Sequence, residues 1–227
     1  MFGFGNLPEI TKNLIIINGV MLLALTVYPD LYGYVSLYYF SNDMFRPWQI
    51  VTHMFSHAQI GSMHLFFNMF TLFMFGSVLE RVLGPKRFLT LYMLTGFGGA
   101  FLHQLVDIIQ VYQISGHVWL TPDLIDHLAI PYSDKLELAK IYATPMVGAS
   151  GAVFGLLTAF AMLFPNAELM LLFPPIPVRA KILISILIIS ELIFGYMQMG
   201  NIAHFAHLGG ALFGYLILKS WKRRRIL

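Results

Sequence analysis

Residues 146–164 read Met-Val-Gly-Ala-Ser-Gly-Ala-Val-Phe-Gly-Leu-Leu-Thr-Ala-Phe-Ala-Met-Leu-Phe, and this stretch decides the fold. It carries no charge and is close to the roughly 20 apolar residues that a bilayer-crossing helix requires. Near its start a serine stands between glycines, and small residues at such spacing let a neighbouring helix approach closely. Five further apolar runs flank it, at about Asn13–Tyr28, Met63–Val82, Phe88–Ile109, Ile182–Met199 and Asn201–Trp221. Pro29 stops the first, because proline cannot donate the next helical hydrogen bond. The expected architecture is an all-α membrane protein, a bundle of six transmembrane helices forming one domain over residues 1–227. Its two long outer loops span about 30–62 and 110–144.

Composition agrees. Apolar residues make up 58% of the 227 positions and charged residues 11%, against about 25% charged in a soluble domain. Too few charges remain to cover a water-facing surface, so the lipid bilayer is the expected surroundings. With no cysteine, disulfides and thiolate zinc sites are excluded. The net charge of +3 and the isoelectric point near 9.1 do not indicate nucleic acid, because the basic residues sit in clusters between apolar runs.

Those clusters set an orientation. In a six-span chain both termini share a side, and 11 of the 14 basic residues fall there: Lys12, Arg81, Lys86, Arg87, Arg179, Lys181, Lys219, Lys222, Arg223, Arg224 and Arg225. Positive residues favour the cytoplasmic side, so both termini are expected in the cytoplasm. Residues 1–12 lack the basic segment and cleavage site of a signal peptide. The first run is therefore expected to be a retained helix, with no soluble regulatory domain ahead of it.

The first outer loop interleaves aromatic and polar residues and is expected to lie in the membrane interface. The second reads as a solvated connector with two local helix starts. One is at Thr121-Pro122, with threonine as N-cap and proline at the first helical position. The other is at Ser133-Asp134, opening a helix over Asp134–Tyr142.

Polar residues inside spans mark candidate chemistry. His207 lies within the last run, and an intramembrane histidine tends to face a cavity or a partner. Gly210 and Gly214 share its side of the helix; Gly148, Gly151 and Gly155 accompany Ser150. Docking these small-residue stripes would bring hydroxyl and imidazole within hydrogen-bonding range. Both residues are expected about 4 to 6 positions past the outer helix ends, roughly 6–9 Å deep. His64 and Asn68, one turn apart on the second span, fall in the same stratum.

Gly-Ala-Ser-Gly at 148–151, Ala-His-x-x-Gly-x-x-x-Gly at 206–214 and His-x-x-x-Asn at 64–68 together resemble the motifs of the rhomboid intramembrane serine proteases, in that family's order. Pro47-Trp48-Gln49…Thr52…Phe55…His57 resembles the family's first outer loop, and Gly76…Leu79-Glu80…Gly84 the inner end of its second span. The resemblance implies Ser150 as nucleophile and His207 as general base, a dyad with no carboxylate. It implies an oxyanion hole from His64, Asn68 and the Ser150 backbone N–H. Phe67 and the fifth helix would flank lateral access for transmembrane protein substrates, and the turn around Gly200 would cap the site; His204, three residues before His207, is expected at the cavity mouth because intramembrane histidines tend to face cavities. Preferred substrates would have a small residue before the cut. A bacterial inner membrane is the home it suggests. Two departures stand out: Phe154 replaces a tyrosine common in the family, and His57 and His64 are seven apart where five is more usual.

Other readings are weaker. His53 and His57 are spaced like a helical metal pair, but no carboxylate completes the set, so no metal or other cofactor is expected. Glu191 is costly in a span unless paired, and the sequence names no partner. A non-catalytic relative binding client helices would have lost the serine or the histidine, and both are present. A transporter would show interrupted helices and internal pseudo-symmetry, and neither is seen.

Overall fold

Helix boundaries in this chain follow its prolines and glycines. The structure is a computed structural model describing residues 7–57, 63–170, 175–197 and 204–224. Helix α1 (Glu9–Val27) stops just ahead of Tyr28-Pro29, where the residue before proline is pushed toward extended backbone. A short α2 (Leu31–Val35) and α3 (Gln49–Thr52) follow, the latter tightening into a 3-10 turn over His53–Phe55. Helix α4 (Met63–Thr71) widens into a π-helical stretch at Leu72–Gly76 and continues as α5 (Ser77–Leu83). Gly84, at φ 78°, ends α5, and Pro85 opens α6 (Pro85–Ser115), which closes on left-handed Gly116. Then come α7 (Pro122–His127), α8 (Tyr132–Ala143) and α9 (Ser150–Leu163). Strands β1 (Glu168–Met170) and β2 (Pro177–Arg179) form an antiparallel pair ahead of α10 (Ala180–Tyr196) and α11 (His204–Arg223).

Among the described residues, three segments are by length and composition long and apolar enough to cross a membrane: Glu9–Val27, Met63–Leu83 and Pro85–Ser115. Ser150–Leu163 is apolar but shorter. Apolar side chains also face outward, among them Leu23 and Val20 on α1 and Ile186, Ile189 and Leu192 on α10. Exposed apolar area of this extent suits hydrocarbon rather than water.

Several expected boundaries are corrected. Helix α6 passes Ile109 and runs to Ser115, so the second outer connection begins at Gly116 rather than at 110. The extension persists because it is packed: Val111 is buried in a cluster with Tyr39, Leu120, Ile125 and Leu138. The connector is therefore a structured cap with its own small core. Thr121 caps α7, its hydroxyl accepting from the Leu124 N–H, whereas α8 starts after Pro131, not at Ser133-Asp134. Asp107 lies inside α6, within the expected third span. The fourth expected span starts late, with residues 146–149 outside the helix.

Helices α6, α9 and α11 pack together at the centre. They meet backbone to backbone. A Cβ added to Gly210 would overlap the carbonyl of Gly151, and one on Gly214 would lie 2.6 Å from the Gly155 oxygen. On the third side, the Cα of Gly151 would stand 3.3 Å from a Cβ built on Gly99. Far from this seam, buried Glu80 accepts from the backbone N–H groups of Ile10 and Thr11 and from the Thr11 hydroxyl at 2.7–2.9 Å. Its charge there also complements the positive end of the α1 dipole.

The seam generates a prediction. Gly210→Ala meets backbone, which cannot rotate away, so it is expected to lower stability by at least the 1–3 kcal/mol or so typical of overpacking. Gly19→Ala, where nothing lies within 4 Å, should be near neutral. Thermal unfolding of the two variants in one detergent checks this; equal midpoints would contradict the packing described.

Candidate active site

Ser150 is the first residue of α9. The first N–H groups of a helix have no intrahelical acceptor and carry the positive end of its dipole, so negative charge is stabilised there. The approach to it is held from outside. Leu37 and Met146 exchange backbone hydrogen bonds at 2.8 and 3.0 Å, and the Gly148 N–H donates to the His53 carbonyl at 2.9 Å. The bridged, non-helical segment before the helix, rather than several helical residues, sets the position of the hydroxyl.

Across the glycine seam, His207 Nε2 lies 2.8 Å from Ser150 Oγ. The Phe154 ring stacks on the imidazole, with centroids 4.4 Å apart and planes 6° from parallel. Both Phe154 and Ser150 belong to α9, one turn apart, so one helix supplies the hydroxyl and a wall that holds the ring opposite it. His207 is 7% exposed.

Gly148 does not belong with the helix-packing glycines. It precedes the helix at φ 115°, a conformation that favours glycine. A Cβ there would come within 2.9 Å of His64 Cε1 and 3.7 Å of Ser150 Oγ, so the His64 ring and the serine hydroxyl flank the same residue. Asn68 is buried, with its amide nitrogen 3.3 Å from His57 Nε2, and the His57 and His64 rings meet edge-on at 5.3 Å. Phe67 points outward and is 56% exposed, away from this cluster. The turn around Gly200 lies outside the described residues.

Three residues depart from their expected parts. His204 does not line a cavity mouth; it is buried, with Nδ1 2.6 Å from Glu191 Oε2. The expected absence of a carboxylate from the centre is corrected: the same Glu191 oxygen lies 2.9 Å from His207 Nδ1. Glu191 sits on α10 and both histidines on α11, so no spacing motif joins them, and only the packing of the two helices reveals the contact. His57 also gains a position no motif assigned, bonded to Asn68. It does not pair with His53, whose Nδ1 meets the Gln49 carbonyl at 2.8 Å.

Glu191, His204 and His207 present donor atoms within 4.8 Å of one another. Around a tetrahedral zinc with bonds of about 2.0–2.1 Å, neighbouring donors stand roughly 3.3 Å apart. The 2.6 and 2.9 Å approaches to one oxygen are closer than that and suit hydrogen-bonded contact rather than coordination.

Residues 44–222 match the family model described as the rhomboid domain. Rhomboid protein 1, mitochondrial, of Saccharomyces cerevisiae is 29% identical over 78% of this chain and 43% of its own length. The putative rhomboid protease YdcA of Bacillus subtilis is 29% identical over 78% of this chain and 70% of its own. Rhomboid protease AarA of Providencia stuartii is 30% identical over 75% and 54%. The chain thus spans about half the length of several relatives it matches. Mitochondrial and bacterial names occur together, and they do not favour the expected bacterial inner membrane.

Burial in the outer loop also predicts an acid response. It pushes both His53 and His57 down to about 4, with the neighbouring His64 adding to the effect on His57. Both rings are therefore neutral in the fold, while in the unfolded chain they titrate near 6.5. Their stabilising contribution is complete above about 6.5 and is lost as pH falls toward 4, on the order of 3 kcal/mol per ring. Thermal midpoints measured from pH 7 to pH 4 should fall, with a shallower slope for His53→Asn. Parallel slopes would contradict this origin.

Proposed function

Because this chain belongs to the rhomboid family, we propose that it is an intramembrane serine endopeptidase that cleaves peptide bonds in the transmembrane segments of other membrane proteins. The observation that carries the reading is the 2.8 Å contact between Ser150 Oγ and His207 Nε2 beneath the stacked Phe154 ring. YdcA and AarA, similar over most of this chain, bear the name protease.

In this reading Ser150 Oγ attacks the scissile carbonyl carbon as His207 Nε2 takes its proton. The carbonyl oxygen becomes an anion at the start of α9, met by the Ser150 N–H and by the side chains of His64 and Asn68. Donors placed in advance stabilise that charge, and removing one costs about 10²–10³ in rate. As the intermediate collapses, His207 returns the proton to the departing amide nitrogen. Water then hydrolyses the acyl-enzyme by the same route. His57 holds the Asn68 amide, and the outer loop holds the Gly148 turn.

The bundle is taken to cross the bilayer six times as one domain, with both termini on the cytoplasmic side. A substrate helix reaches Ser150 laterally, passing Phe67 and α10. It must unwind there, since helical carbonyls are already hydrogen-bonded. A small residue ahead of the cut would suit the crowding by Gly148 and His64.

Proteoliposomes holding the purified protein and a single-pass substrate with a labelled terminus test this. Wild type is expected to release the label, Ser150→Ala and His207→Ala to lose at least about 10³-fold in rate, and Asn68→Ala about 10²-fold. Cleavage by Ser150→Ala at the wild-type rate would overturn the assignment. A wild-type protein that binds substrate helices without cutting them would indicate a client-binding relative.

A further inference from the structure

We infer that Glu191 completes the site as a positioning residue, a carboxylate from α10 that orients His207 toward Ser150 and stabilises the ring while it carries the proton. The inference rests on the protease reading above.

The two nitrogens of His207 face opposite partners. Nε2 meets Ser150 Oγ at 2.8 Å, and Nδ1 meets Glu191 Oε2 at 2.9 Å. A neutral imidazole has one N–H and one lone pair. A carboxylate beside Nδ1 places the hydrogen there and leaves the Nε2 lone pair for the serine proton. The opposite tautomer would set an N–H against the serine hydroxyl and a lone pair against an anion, so it could not act as base.

The Nδ1 contact is close but not aligned: among the described residues, buried Nδ1 has no hydrogen bond of good geometry. A small swing of the carboxylate would align it. Catalytic hydrogen bonds often stand loose in the empty enzyme and tighten as substrate binds. Nothing else described competes for that nitrogen.

His204 makes the arrangement specific. Its Nδ1 bonds the same Oε2 at 2.6 Å, and its ring lies edge-on to that of His207 at 6.5 Å. The carboxylate is thus anchored from one side and presented to His207 on the other. An acidic side chain in a membrane-embedded helix is costly unless partnered, and Glu191 spends both contacts on the face where the nucleophile stands. Its side chain is 15% exposed, so little water screens the interaction.

During acylation the proton moves from Ser150 Oγ to Nε2, leaving a cationic ring. Glu191 stays ionised throughout and offsets that charge; the proton goes on to the leaving nitrogen. Four titratable groups share this space: Glu191 from α10, His204 and His207 from α11, and His64 from α4, whose ring flanks Gly148 beside Ser150. Ser150 and Phe154 complete the surround from α9. Of these only Glu191 is anionic, so its removal has a predictable sign. The protonated ring loses its counter-charge, and the neutral, active form persists to lower pH.

The test is cleavage in proteoliposomes from pH 5 to 9 by wild type, Glu191→Gln, Glu191→Asp and Ser150→Ala. For Glu191→Gln the expected result is a 10- to 10²-fold lower kcat at pH 8 with KM within about twofold of wild type. The acid limb of kcat/KM should move down by about one pH unit, the lower end of what an adjacent opposite charge produces. Glu191→Asp should restore part of the rate and return the limb toward its wild-type position. The limb position does not depend on how much enzyme is folded, so a stability defect cannot imitate the shift. An unshifted limb, or an unchanged kcat, overturns the role of Glu191 while leaving Ser150 and His207 in place. Activity retained in Ser150→Ala overturns the protease reading itself.

Discussion

The close approach of α9 and α11 is the constraint on which the rest depends. Gly151 and Gly155 face Gly210 and Gly214 with no room for a Cβ, so the helix backbones nearly touch. A hydroxyl is a short side chain, so its distance from an imidazole on the neighbouring helix is set by how closely the two backbones dock. Remove the glycines and the 2.8 Å contact opens, whatever else survives. Helix α6 seals the third side of this seam through Gly99, and its outer extension carries the small core of the connecting loops. Packing and site geometry are one structural problem here.

A second constraint is electrostatic. Carboxylates are expensive away from water, and two enclosed ones each have a specific answer. Glu80 closes the start of α1 with three hydrogen bonds. Glu191 lies between two imidazoles beside Ser150. The first is a structural solution. In the second, both partners are histidines and one of them touches the serine, so the same burial that makes the charge costly also makes it effective.

Much of this was legible in the chain. The apolar runs, the small-residue stripes and the placing of Ser150, His207, His64 and Asn68 follow from periodicity and from motifs whose residues are close in sequence. Thr121-Pro122 marked a helix start correctly because N-capping is a local interaction. The misreadings fell where tertiary contact decides. Helix α6 outruns its apolar segment because Val111 is buried by residues from two distant loops. Ser150 opens its helix because a backbone bridge at Met146 to Leu37 and the turn at Gly148 keep the preceding residues out of the helix. Glu191 read as an unexplained charge, since its partners lie on another helix at no motif spacing. Gly148 looked like one more packing glycine, and only its backbone conformation and the His64 ring beside it show a turn.

The central claim is that one hydroxyl, paired with one imidazole, is made nucleophilic inside a membrane protein. It is tested most directly by mapping, with mass spectrometry, the adduct formed by a fluorophosphonate on the protein in lipid. The account predicts a single phosphonylated serine, at position 150, and its disappearance when His207 is replaced by alanine. An adduct on a different serine, or one on Ser150 that forms equally fast without the imidazole, would contradict it.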